Sequence, residues 1–388
     1  GDALSLSHGA ASFTDKHAGT GKTVNVTGIN VTGTDASNYT FNTTATTTAD
    51  ITARALTVSA TGQNKVYDGT TNATVTLGDN RVAGDALVLA GTGTFASKDV
   101  GTAKPVNVTG INITGADAGN YTFNTTATTA ADITARALTV SATGQNKVYD
   151  GTTNATVTLS DNRVAGDALI LAGTGAFASK DVGTAKAVNV TGINVTGTDA
   201  GNYTFNTTAT TTANITARAL TVSATGQNKV YDGTTVAPVT LSDNRVAGDS
   251  LSLAGTGAFA SKDVGTAKPV NVTGINVTGT DAGNYTFNTS ATTTADITAR
   301  ALTVSATGQN KVYDGTTNAT VTLGDNRVAG DNLSLAGTAS FVNKNVGTAK
   351  TINVTGINVT GTDAGNYSFN TTATTAADIT ARALTVSA

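Results

Sequence analysis

The chain contains no cysteine, no methionine and no tryptophan, and each of its acidic residues is aspartate. Without cysteine there is no disulfide framework, no thiol nucleophile and no zinc finger. Without glutamate the Glu-based carboxylate pairs of many glycosidases lack their parts. Histidine occurs only twice and proline three times. No apolar run approaches the ~18 residues that a membrane helix needs. Lys and Arg total 23 against 26 Asp, a net charge of −3, so no basic surface for nucleic acid is expected. The missing initiator Met points to a processed or excised piece, with any signal peptide upstream of it.

What is present favours strands. Glycine numbers 43 in 388 residues, the usual helix formers are scarce, and Val, Ile and Leu come in short alternating runs. The string LysValTyrAspGlyThrThr recurs with its tyrosine at Tyr67, Tyr149, Tyr231 and Tyr313, each 82 residues after the last. IleThrAlaArgAlaLeuThrValSerAla recurs in step, at Arg54, Arg136, Arg218, Arg300 and Arg382. The organisation read from these repeats is an incomplete repeat over 1–54, then complete repeats over 55–136, 137–218, 219–300 and 301–382. Residues 383–388 are read as the first strand of a further repeat.

Comparing the copies shows which positions face a core. Leu87 and its counterparts Leu169, Leu251 and Leu333 never change, whereas the intervening Val88 becomes Ile170, Ser252 and Ser334. Such a strand is buried on one face only. The same comparison turns Leu56 and Val58, and then Ala73, Val75 and Leu77, inward. Val106 and Val108, Ile111 and Ile113, and Tyr121 and Phe123 are read as further strands. Turn chemistry at Asp68, Gly78 and Asp117 separates them, giving about seven or eight strands per repeat. Pro238, standing where another copy has Thr74, implies an edge or a strand start. Inward parity flips between Ile133 and Leu138, as expected where one domain ends and the next begins.

The expected fold is therefore all-β: a tandem array of small Ig-like β-sandwich domains, packed independently without linkers into an elongated rod of about 150 Å. A continuous β-solenoid is the competing architecture, but no period near 20 residues is visible inside the repeat.

Few residues invite chemistry. Gly21, Lys22 and Thr23 imitate a phosphate-binding loop, but Lys16 stands where its first glycine belongs. His8 and His17 occur only in the divergent first copy, without the surroundings a triad requires. A Lys–Asn isopeptide cross-link would need an Asp to assist it. Asp79, Asp85 and Asp117 are the candidate ligands if calcium is held, and ordinary turn and cap duty is the preferred reading. No other cofactor is expected.

The repeat motif comprises Lys65, Tyr67, Asp68 and Gly69; Lys147, Tyr149, Asp150 and Gly151; Lys229, Tyr231, Asp232 and Gly233; and Lys311, Tyr313, Asp314 and Gly315. A sugar-stacking tyrosine is one reading. The favoured one has Tyr67 packed at the sandwich edge, Lys65 and Asp68 paired or lining the turn, and Gly69 supplying the turn conformation. AsnXaaThr sequons are frequent, as at Asn107, Asn120 and Asn124, in a chain rich in both residues.

ArgAlaLeuThrValSerAla, LysValTyrAspGlyThrThr and GlyAsnTyrThrPhe together resemble the YDG-type glycine-rich repeats of filamentous-haemagglutinin-like bacterial adhesins. These are large exoproteins, often exported by two-partner secretion. The resemblance implies an extracellular location at the bacterial cell surface and a role as stalk of an adhesin or biofilm-matrix protein. Polysaccharide or a host or neighbouring cell would be engaged by regions outside this piece. Lateral or head-to-tail self-association is allowed, the latter by strand donation, although a longer array cut short explains the incomplete ends better. Weak polysaccharide binding by every repeat, made strong by repetition, is the alternative function. No enzyme is expected.

Overall fold

The computed structural model describes residues 1–386, which are all-β apart from single 3-10 turns such as Ala118–Asn120. Contacts divide the chain into two compact units whose boundary runs through the repeat 137–218. The repeats 55–136, 219–300 and 301–382 each lie inside one unit, and the first shows the plan.

Its strands are β1 (Arg54–Leu56), β2 (Val58–Gly62), β3 (Lys65–Val66), β4 (Asn72–Ala73) and β5 (Val75–Asp79), followed by β6 (Val88–Phe95), β7 (Gly101–Thr114), β8 (Tyr121–Phe123) and β9 (Ala127–Thr134). A five-stranded sheet runs in the order β3-β9-β7-β6-β4. It is antiparallel except where β3 lies parallel to β9. An antiparallel pair β2–β5 packs on it, and β1 pairs in parallel with β8. This is a two-layer sandwich.

The alternation of small β-branched residues determines which side of each strand is buried. Val106 and Val108 on β7 are fully buried, and Ile111 and Ile113 nearly so. The change from even to odd parity occurs within this single strand, at a bend where Gly110 has φ +62°. The sequence reading divides this one strand in two, yet nine strands are found against an expected seven or eight, because Leu56 and Val58 fall on separate strands, as do Ala73 and Val75. Val88 and Ile170 are exposed, at 65% and 67%, while Leu87 and Leu169 are buried. Gly62 lets the layers meet, since a Cβ there would lie 2.8 Å from the carbonyl oxygen of Ala130. Pro238 occupies the break between Val236–Ala237 and Val239–Asp243, where its carbonyl accepts a hydrogen bond from the Gln227 N–H.

Segment 1–54 holds the later strands only, and Leu6, Phe13, Tyr39 and Phe41 are exposed. In a complete repeat β1, β2 and β5 help to cover these positions, so that Phe95 and Tyr121 are buried. At the other end Ala383–Val386 forms no strand. In a complete repeat the corresponding strand β1 forms by pairing with a Tyr-Thr-Phe strand later in the same repeat. Ser387 and Ala388 lie outside the described residues.

Candidate functional site: the junction between repeats

The Lys-Val-Tyr-Asp-Gly motif is where one repeat meets the next. Lys65 Nζ donates to Asp68 Oδ1 at 2.8 Å and to the Thr70 carbonyl at 2.8 Å, while the Thr70 N–H returns to Asp68 at 2.9 Å. Burial works against the Asp68 charge, but these bonds outweigh it and hold its carboxyl below the usual range. Gly69, at φ +77°, closes the turn. The same arrangement recurs at Asp150, Asp232 and Asp314. It fixes the direction of the intervening tyrosine.

Tyr67 points out of its own repeat into the following one and is 1% exposed. Its hydroxyl donates to Asp167 Oδ2 at 2.9 Å. Tyr203 donates to the same oxygen at 2.6 Å and accepts the Val164 N–H at 2.9 Å. The two rings stand edge to face, with centroids 5.5 Å apart. Lys98 reaches across from the first repeat to Asp167 at 3.0 Å and Asp199 at 2.7 Å, its ammonium 5.7 Å from the Tyr67 ring centre. The Val100 N–H donates to Asn202 Oδ1 at 2.8 Å, and Asn202 is itself buried. A buried carboxylate is tolerated because its partners surround it.

Charge states follow from this packing. Burial would raise Asp167, yet the bonds from Tyr203, Lys98 and Tyr67 prevail and lower it. The Lys98 ammonium is held in its charged form by Asp199, Tyr67 and Asp167. Burial, reinforced by Asp167, pushes the Tyr203 hydroxyl up to about 12.

The set repeats at Tyr149, Lys180, Asp249 and Tyr285, and again at Tyr231, Lys262, Asp331 and Tyr367. Each of these junctions lies within a single compact unit. Packing is therefore shared between neighbouring repeats, which corrects the expectation of independently packed domains. The physical reason is that a large aromatic side chain of one repeat completes the core of the next.

Asp85 and Asp117, two of the three calcium candidates, do come together around a cation, and that cation is the ammonium of Lys16, at 2.7 and 2.9 Å. Lys16 holds both carboxyls below their usual range. Asp79 stands apart, bound by the Arg81 guanidinium. Among the described residues no group of three or more His or Asp gathers as a metal site. Gly21, Lys22 and Thr23 lie within the strand Gly19–Thr27, where Gly21 takes the positive φ that Ala103 takes in the next repeat. The His8 ring lies near the Gly9 carbonyl, and His17 near Asn120.

Sequence reasoning missed Lys98, Asp167 and Asn202 as a set. The available signal was that Lys98 has Lys16, Lys180, Lys262 and Lys344 as counterparts, and Asn120 has Asn202, Asn284 and Asn366.

The family model of the YDG domain matches residues 1–49, 52–130, 134–213, 216–295 and 298–376. No curated protein matches the chain. Among solved structures, the N-terminal four Ig domains of Dscam1 isoform 6.9 are similar at 8% identity, with 83% of this chain and 97% of that one covered and a TM-score of 0.19. Domains 4–9 of the surface layer protein SbsC are similar at 12% identity, covering 90% and 70%, with a TM-score of 0.15. Scores this low leave the fold to be read from the chain's own sheets.

Proposed function

Because the chain belongs to the YDG-domain family, in five tandem matches, we propose that it is a structural stalk of an extracellular bacterial adhesin or biofilm-matrix protein. It would hold a binding region, lying elsewhere, away from the cell surface. The observation that carries this reading is the linkerless junction: a tyrosine, a lysine and two aspartates dock one repeat on the next in the same way each time. A spacer needs a repeated joint of this kind, with its charges neutralised internally, and it needs neither catalytic machinery nor a cofactor. One feature supports the alternative of weak polysaccharide binding by each repeat: a shallow cleft recurs beside Arg81, Arg245 and Arg327.

Small-angle scattering of the 388-residue chain tests the stalk. The reading requires a largest dimension of about 150 Å or more, whereas a compact globule of this length would measure about 55 Å and would overturn it. A polysaccharide pull-down with the same chain tests the alternative.

A further inference from the structure

We infer that each repeat is a mechanical clamp, built to bear tension along the chain. The inference rests on the strand directions. Force carried along the backbone reaches the repeat 55–136 through its leading strands β1 and β3 and leaves through its trailing strands β8 and β9. Both leading strands pair in parallel with trailing ones: Arg54–Leu56 with Tyr121–Phe123, and Lys65–Val66 with Ile133–Thr134.

In a parallel pair, pulling the leading strand backwards and the trailing strand forwards slides one along the other. The hydrogen bonds between them are then loaded together, whereas an antiparallel pair held at its open end peels one bond at a time. Further backbone and side-chain bonds add to this seam. The Tyr67 N–H donates to the Thr134 carbonyl at 2.9 Å, and the Asp132 N–H to Asn64 Oδ1 at 2.7 Å. Asn124 grips both backbone groups of Val58, accepting its N–H at 2.8 Å and donating to its carbonyl at 3.0 Å.

The seam recurs in later repeats, with Arg218–Leu220 on Tyr285–Phe287 and Lys229–Val230 on Ile297–Thr298. The next repeat has the same two pairs. With no linker to stretch first, tension passes directly from one clamp to the next. This deepens the stalk reading, since only a tether meets tension.

Single-molecule pulling on the whole chain tests it. Held by its ends, the protein should give one force peak per complete repeat, each releasing 82 residues, or about 280 Å of extended chain less its folded length. The same protein held instead through Ser252→Cys and Thr278→Cys is loaded across an antiparallel pair. At equal speed that pair should part at a force lower by about twofold or more. Asn288→Ala, which removes the grip on Val222, should lower a peak in the end-to-end pull and leave the peeling force unchanged. Equal forces in the two geometries, or an Asn288→Ala loss of the same size in both, would overturn the clamp. Either result leaves the spacer reading standing, and a compact scattering profile would remove the spacer without altering these forces.

Discussion

Tyr231 and Tyr313 sit in the same seven-residue string, Lys-Val-Tyr-Asp-Gly-Thr-Thr, yet their surroundings differ. Tyr231 is 1% exposed, with Asp331 and Tyr367 of the following repeat around its hydroxyl and ring. Tyr313 keeps the local turn, with Lys311 on Asp314, but is only half-buried among the described residues. The local motif thus builds the turn and aims the side chain, and the neighbour supplies the burial and the hydrogen bonds.

Tyrosine truncation should expose this contrast most strongly. Tyr231→Ala should cost about 3–5 kcal/mol, as for other buried aromatics, measured by urea unfolding of the full chain. Tyr313→Ala should cost less than half of that. Equal losses would mean that the neighbour contributes nothing.

Glycine substitution sharpens the comparison at the next residue but one. Gly69→Ala and Gly315→Ala both force alanine into a left-handed backbone, at φ +77° and +80°, costing about 1–2 kcal/mol each. At Gly69 the new methyl would also come within 2.8 Å of Val164 Cγ1 of the next repeat, whereas Gly315 has open space. Gly69→Ala should therefore lower the melting temperature further, and identical shifts would contradict the packing.

A smaller effect should follow pH. The lowered carboxyls of Asp167, Asp249 and Asp331 contribute stability above the unfolded carboxylate range and lose it as pH falls through their folded values. The hydroxyls of Tyr203, Tyr285 and Tyr367, pushed up to about 12, contribute stability that is complete below the ordinary tyrosine value. That stability fades as pH rises from about 10 towards 12. Asp331→Asn should flatten the acid limb of the stability curve, and an unchanged limb would show that these carboxylates are not responsible.

The smallest effect concerns the junction at Lys16, where no tyrosine stands among the described residues. Where Lys16 meets Asp85 and Asp117, a cavity of about 240 Å³ lies between Val82, Asp85, Asn120 and Tyr121. These are the counterparts of residues that enclose Tyr67 one junction later. Millimolar p-cresol, the tyrosine side chain as a free molecule, should shift the backbone NMR signals of Val82 and Tyr121. Shifts at Val246 and Tyr285 instead, where Tyr149 is in place, would refute the equivalence.

Much of this was legible in the sequence, because alternation and repetition are local. The faces of β6 follow from Val88 varying between two fixed leucines, and the repeat boundaries follow from the recurring arginines. The junction was not legible in the same way. Tyr67 and Asp167 are 100 residues apart, and nothing near the tyrosine announces that its partner lies in another repeat. Repetition singles out Asp79, Asp85 and Asp117 as acidic positions, but a lysine from the preceding repeat as the cation between Asp85 and Asp117 cannot be placed by spacing alone. Parallel pairing of β1 with β8 was equally hidden, since three-residue strands carry too little pattern to reveal their partners.

The central claim is that the junction couples neighbouring repeats, and amide hydrogen exchange on the full chain carrying Tyr231→Ala and Lys262→Ala tests it directly. Both substitutions lie in the repeat 219–300. The account predicts faster exchange across the junction at Val328 and Asn332, whose N–H groups are bound by Tyr367 and Asp363 of their own repeat. Protection lost only within 219–300, with Val328 and Asn332 unchanged, would show that the repeats merely touch.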